Sequence, residues 1–460
     1  MKTKYIAMAV LSLSSGLVWT GCKDTPDAYE VAGGKPTVKY VRCLSSEVVG
    51  SNDEPGTLYT DGQLVTSAYP EAIVCLVGDN LRSVYELYFN DQKAVLNTSY
   101  MTDNALLVQV PSGIPELVSN KIYMITKSKD TVTYDFSVTI SAPTVTAMDC
   151  EYTPEGEATT ITGRYMIDDP NFPLSVAFTD AYGNENVLLA TIKDIADDYT
   201  SVTVIVPEGA GEGPVTVTSI YGSTASSFHY ADTRGMLFDF DGMTGLGNHG
   251  WHNRDIMSDE TSITGNFVML GGAALDADAG WNDGNYSFEY WPGNWEDPET
   301  FTAADGRLLT DLVDFSDYSN MSLKFEMYIP SSNPWSAGAM QIIPADISTV
   351  SYGSAGAVDL NGTVLGGCNN TYISGGVTPR ALYRPWTTTG SFDTGDKWIT
   401  VSIPMNSATF AYGPDGTAAT GSLSADSWAS LVLFVCGGGV SGTECNPIIK
   451  IDNIRAVPNK

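Results

Sequence analysis

The residues best suited to chemistry are aromatic, and they are unevenly placed. Of the nine tryptophans, Trp19 lies near the start, and the other eight, Trp251, Trp281, Trp291, Trp295, Trp335, Trp386, Trp398 and Trp428, all follow residue 250. Most stand in Gly/Asn/Asp/Ser/Pro-rich sequence with no apolar periodicity to bury them. Trp281, Trp291 and Trp295 share AGWNDGNYSFEYWPGNWEDPE, Trp335 lies in SSNPWSAGAMQ, and Tyr383, Arg384 and Trp386 lie in RALYRPWTTTG. Such sequence places aromatic rings on loops or strand ends. A pyranose has an axial C–H face that stacks on an indole, and equatorial hydroxyls that take Asn, Gln, Asp or Arg in the ring plane. Flat rings on a rigid scaffold therefore suit a sugar above other ligands. By analogy with base stacking, each platform contributes about 1–3 kcal/mol. Trp398 and Trp428 open strands and are expected to pack inside.

Catalysis is the main alternative. Glu289, Glu296, Asp297 and Glu299 lie among the same aromatics, and a glycosidase needs two carboxylates across one sugar. Yet acidic residues number 54 against 23 basic, for a net charge of -31, so neighbouring acids arise without catalytic purpose. His249 and His252 in GNHGWHN have no acid partner or metal-site spacing, and a loop hydrogen bond is the expectation for them. The chain has no G-x-S-x-G, H-E-x-x-H or Walker loop. It is read as a non-enzyme without cofactor. Calcium where Asp239, Asp241 and Asp452 meet is a further alternative, but they form no contiguous ligand loop, and no metal is assigned. The shortage of Lys and Arg excludes a nucleic-acid partner and suits a neutral ligand.

The elements that must position these rings are short strands. Hydrophobic residues make up 43% and charged residues 17%, with 45 glycines and 23 prolines, which describes a globular chain dense in turns. A length of 460 residues suggests two to four domains. In Ser322 to Ile329, Leu323, Phe325, Met327 and Ile329 alternate with Lys324, Glu326 and Tyr328, predicting one buried face and one wet face. Trp398 to Ile403 and Ile448 to Val457 alternate similarly, and Ser430 to Cys436 suits a central strand. Residues 233–460 are therefore read as a jelly-roll-like β-sandwich.

Upstream there is a weak internal repeat. Val74 to Leu81, Glu86 to Asn90, Leu107 to Pro111 and Tyr134 to Val138 match Thr160 to Met166, Ser175 to Asp180, Val202 to Pro207 and Ser227 to Tyr230. Each copy, 36–142 and 143–232, is expected to be a small Ig-like sandwich. Gly78 and Gly163 are read as tight-turn glycines, Pro111 and Pro207 as strand ends. Neither copy has a convergent polar or aromatic cluster in sequence, so both are read as spacers. Cys75 and Cys436 lie in apolar runs and suit buried free thiols; Cys436 with Cys445 across a Gly-rich turn is the alternative, as a disulfide.

Residues 1–21 have a secretory layout, with Lys2 and Lys4 before an apolar stretch from Ile6 to Val18 that is too short to span a bilayer. Thr20-Gly21 before Cys22 resembles a bacterial lipobox, which implies lipidation of Cys22 and a tether over 22–35. The C-terminal region opens with LFDFDG, contains DFSDYSNMSLKFEMYIP, RALYRPW and WITVSIP, and closes with KIDNIRAVP. With Cys22 and the two repeats, which resemble IPT/TIG domains, this ordered set resembles the surface glycan-binding proteins of Bacteroidota, of the xyloglucan- and β-glucan-binding B type. The resemblance covers essentially the whole chain. It implies an all-β fold and an outer-membrane, cell-surface lipoprotein that captures a polysaccharide such as β-1,3-glucan, mixed-linkage glucan or xyloglucan. The implied partners are a TonB-dependent SusC/SusD-like porter complex and a surface endo-glycanase. The RALYRPW match implies that Tyr383 and Trp386 lie in the binding region. A structural adhesin remains an open alternative.

Overall fold

Alternating apolar and polar residues, punctuated by glycine and proline, produce a chain of β-sandwiches in which the helices among the described residues are short turns. The computed structural model describes residues 33–44, 62–182, 187–250, 252, 254–292, 307–350, 357–359, 361, 373–412 and 417–459. Cys22, Trp251, Trp295, Glu296, Asp297, Glu299 and Cys368 lie outside the described residues. Among the described residues no helix is long and apolar enough to cross a membrane. The chain divides into two compact units, Met1–Ile140 and Ser141–Lys460.

In the first unit, one four-stranded sheet runs Leu64–Val65, Thr37–Cys43, Ile73–Asp79, Ala105–Gln109. A second runs Gln92–Lys93, Val84–Phe89, Lys121–Thr126, Thr131–Asp135. Alternate residues Val74, Leu76, Leu106 and Val108 of the first, and Leu87, Phe89, Ile122 and Met124 of the second, are buried. The other face of each strand is left to solvent.

The second unit begins with a sandwich of similar strand plan, with its added edge strand, Thr191–Ile195, on the opposite edge of the first sheet. Its sheets run Thr144–Met148, Ala158–Arg164, Ser201–Ile205, Thr191–Ile195 and Leu188–Leu189, Ser175–Asp180, Ala210–Ser219, Gly222–Tyr230. The repeated glycines serve a different purpose from the tight turn expected of them. Gly78 pairs with Val38 and Gly163 with Val145, each beside a bulge in the partner strand. A Cβ at Gly78 would stand 1.8 Å from the Thr37 carbonyl oxygen, and one at Gly163 1.8 Å from that of Thr144. Both glycines permit a close backbone crossing.

Residues beyond 232 build a larger sandwich. Its six-stranded sheet runs Ile256–Met257, Phe267–Leu270, Ile449–Pro458, Met321–Tyr328, Trp398–Pro404, with Met236–Phe238 also paired to Ile449–Pro458. The facing sheet runs Ser287–Tyr290, Ser430–Val435, Met340–Ala345, Ala381–Tyr383. Phe238, Phe288, Leu323, Phe325, Met327, Leu433, Val435 and Ile451 fill one core between them.

The alternation over Ser322 to Ile329 is present, but its second face is not wet. Glu326 is 0% exposed because the second Ig-like sandwich covers it. Arg455 donates to both Glu326 carboxylate oxygens, from Nη1 at 2.7 Å and Nη2 at 3.1 Å, and to Glu151 of that sandwich at 2.6 Å. Lys324 also reaches Glu151, at 2.5 Å. Thr400 donates to Glu326 and accepts the Glu151 backbone N–H at 2.7 Å. Burial works against the Arg455 charge, yet the facing carboxylates outweigh it and push its pKa up. Trp398 also departs from the expected interior: it lies half-buried on this outer face, between Phe267 and Tyr328, with its indole N–H on the Thr261 carbonyl at 2.5 Å. Trp428 is buried as expected.

Candidate functional site

The loops at one end of the four-stranded sheet converge. Gly437 N donates to Ala279 O at 2.8 Å, Trp386 Nε1 to Gly338 O at 2.7 Å, and Arg384 Nη1 to Gly438 O. Gly338 permits this crowding, since a Cβ there would stand 2.5 Å from that of Ala279. Trp281, Trp335, Tyr383, Arg384 and Trp386 thus meet in one region although they span more than 100 positions of sequence.

Within that region the rings divide by exposure. Trp335 is 0% exposed and donates its indole N–H to Ala337 O at 2.6 Å; Trp386 is 4% exposed. The structure corrects the expectation that both stand open as platforms: their N–H groups are taken by loop carbonyls and their faces by the core, so they act as pillars. Trp291 is corrected likewise. It is fully buried and follows Tyr290, which pairs with Leu431, whereas the converging loops lie beyond the Ser287–Phe434 end of the same pairing. Three further rings, Tyr383, Trp281 and Tyr412, remain partly exposed. Tyr383 is half-buried with its ring 6.1 Å from Trp335, and its hydroxyl pKa is pushed up to about 12 by burial. Trp281 is half-buried, packed edge-on against Phe434 at 4.9 Å and Tyr412 at 5.8 Å.

Below Trp281 and Tyr412 is a polar floor that sequence reasoning did not pick out; Tyr383 pairs with the core residue Met340 and lies on the other face of the sheet. Gln341, Phe434 and Ser287 are register partners and share the outer face of the sheet. Gln341 accepts from Arg380 Nη1 at 2.7 Å and donates to Cys436 O at 2.6 Å, and the Arg380 guanidinium lies 5.8 Å from the Tyr412 ring centre. A glutamine inside the apolar run AMQIIPA was the available signal. The arrangement offers ring edges above a floor of fixed dipoles, with Arg384 at the rim. It suits a neutral, hydroxyl-rich ligand that slides C–H faces over aromatic rings.

Glu289 is the one candidate acid among the described residues; it is buried and accepts from the Ser287 hydroxyl at 2.9 Å. His249 bonds the Trp291 carbonyl at 2.5 Å and His252 lies 3.3 Å from Asp283, so both hold loops. The three aspartates weighed for calcium each accept hydrogen bonds from the chain. Asp239 accepts from the N–H groups of Met243 and Thr244, Asp241 from Asn266, and Asp452 from Thr264. Burial, with the Glu326 and Asp241 charges adding to it, pushes the Asp452 pKa up to about 8. Cys436 and Cys445 are free thiols, so the disulfide alternative is corrected; burial pushes Cys436 up to about 11.

Residues 230–458 match the family described as the surface glycan-binding protein B xyloglucan binding domain. The surface glycan-binding protein PbSGBP-B from Prevotella bryantii is 44% identical, with a TM-score of 0.80 over 93% of this chain and 100% of its own. An SGBP-B from a complex xyloglucan utilization locus in Bacteroides uniformis aligns over 92% of this chain and 100% of its own, at 13% identity and a TM-score of 0.40. An IPT/TIG domain-containing protein of Bacteroides ovatus is 24% identical over 169 residues, 35% of this chain. The matched region spans about a third, 34%, of that curated relative's length. With 44% identity across the whole of the Prevotella bryantii protein, the chain belongs to the surface glycan-binding protein B family.

Proposed function

We propose that this chain is a non-catalytic cell-surface receptor that captures a neutral polysaccharide with a β-glucan backbone. The reading rests on one observation above others: the outer face of the four-stranded sheet gathers half-buried Trp281 and Tyr412 above an internally satisfied Gln341–Arg380 floor. No unpaired cation is needed there for an uncharged sugar. The xyloglucan-binding name of the matched domain supports a β-1,4-glucan-type ligand, with mixed-linkage and β-1,3-glucans as relatives to compare. Trp281, Tyr383 and Arg384 contact the chain, while Trp335 and Trp386 support the loops that hold them. Cys22 carries the lipid that anchors the protein to the outer membrane, and the sandwiches over 36–142 and 143–232 hold the receptor away from it. The captured glycan passes to a SusC/SusD-like porter after cleavage by a surface endo-glycanase.

Isothermal titration of the full chain with xyloglucan, mixed-linkage β-glucan and laminarin tests this reading. Binding to at least one without release of reducing ends is the expected result, and Trp281→Ala weakens it about tenfold. Release of product, or no heat with any of the three, sinks it.

A further inference from the structure

The geometry points to a second saccharide-binding site, on the first Ig-like sandwich, whose sequence shows no such cluster. The exposed face of the sheet containing Lys121–Thr126 carries Tyr88 and Tyr123 as direct cross-strand partners, 35 positions apart in the chain. Lys93 pairs beside Tyr88, and Thr133 beside Tyr123, so one row crosses all four strands. In the next row Ile125 faces Thr131. With Asn90, Asp91, Leu117 and Ser119 these residues line a depression of about 420 Å³, within the usual range for small-ligand sites. Both tyrosines are half-buried and Leu117 is 49% exposed, so rings and rim face the opening.

Two features say what the depression takes. Asn90 is 4% exposed, and its Oδ1 accepts the backbone N–H groups of Ser119 and Asn120 at 3.0 and 2.8 Å. That orientation leaves Nδ2 as a buried donor without a partner, in a residue that lines the depression, a deficit that a ligand oxygen would correct. The charged groups around the opening are already engaged. Lys93, 5.8 Å from the Tyr88 ring centre, is paired with Glu86 at 2.6 Å; Glu86 also accepts the Tyr88 hydroxyl, and the Asp91 carboxylate accepts the N–H groups of Glu116 and Leu117. Two adjacent phenol rings, one unmet amide donor and no unpaired cation describe a neutral sugar ring stacked on Tyr88 and Tyr123, with a hydroxyl or ring oxygen on Asn90 Nδ2. This site rests on the glycan-binding reading above and adds a second contact for the same polymer, which strengthens capture through effective concentration.

Isothermal titration of the full chain with a mixed-linkage β-glucan heptasaccharide and a xyloglucan heptasaccharide measures the number of sites. Two bound oligosaccharides per chain are expected. Tyr88→Ala/Tyr123→Ala leaves one, and so does Leu117→Asp, which blocks the rim without touching the core. Trp281→Ala removes or weakens the other site and leaves this one. For the intact polysaccharide, the tyrosine variant binds about fivefold to tenfold more weakly. One site in the unaltered chain, unchanged by the tyrosine or Leu117 variants, overturns this proposal and leaves the C-terminal receptor standing. No binding by any form overturns both. A polyproline peptide that binds Tyr88 and Tyr123 where the oligosaccharides do not also overturns it.

Discussion

The two sheets of the C-terminal sandwich each put polar side chains on their outer faces, and the chemistry of those side chains differs. On the six-stranded sheet the groups are ionic and mutually saturated: Arg455 binds Glu326 and Glu151, and Lys324 binds Glu151. On the four-stranded sheet the groups below the converging loops are the Gln341 amide and the Arg380 guanidinium, with aromatic rings above, while Glu289, farther along the same face, is bonded to Ser287. A face saturated by charge pairs at covalent neighbours is a joint, since any new partner must displace a compensated ion. A face of dipoles and rings retains apolar area to give to a ligand. Burial alone does not separate the two, because Glu326 and Gln341 are 0% and 1% exposed.

The joint is the place where a single change does most damage. Arg455→Met leaves Glu326 and Glu151 without their shared cation and should cost about 3–5 kcal/mol in denaturant unfolding of the full chain. A loss under about 1 kcal/mol would erase the distinction between the faces. Trp335→Ala, at the pillar between loops, should cost about 3–4 kcal/mol as a cavity, with weaker glycan binding only as a consequence. A stable Trp335→Ala protein that binds no glycan would make Trp335 a contact residue. Trp281→Ala tests the ligand face and should reverse that balance: about a tenfold loss of affinity, near 1.4 kcal/mol, for a smaller loss of stability.

The pH dependence of stability is the finest probe of the joint. Asp452 has its carboxyl pKa raised to about 8 when folded, chiefly by burial, against about 3.9 unfolded. Between those values the folded state binds the extra proton, so this group's stabilisation is complete below about pH 4 and is lost as pH rises towards 8. Asp452→Asn should flatten that part of the stability-versus-pH curve. An unchanged slope would place the titration elsewhere.

The strand pattern was legible from local sequence because side chains alternate with a period of two and glycine or proline ends each run. Leu323, Phe325 and Met327 are buried as that alternation required. What the alternation did not carry was the fate of the opposite face. Glu326 looked wet because its cover, Glu151, comes from a different sandwich 175 positions earlier in the chain. The tryptophans failed in the opposite direction. Gly- and Ser-rich flanks suggested open loops around Trp335 and Trp386, yet small residues such as Gly338, Ala337 and Ala339 let those loops close over the indoles. Small flanking residues are compatible with either outcome, so composition could not choose between them.

Residue chemistry by itself determined that this is an all-β chain with an aromatic-rich C-terminal sandwich and too little positive charge for a polyanion. Those properties are sums over residues or patterns within a few positions. Which rings are pillars, which face is a joint, and that Tyr88 meets Tyr123 were decided by the tertiary structure. Each depends on strand register and on contacts between distant segments, where one residue of slip would turn every side chain to the other face.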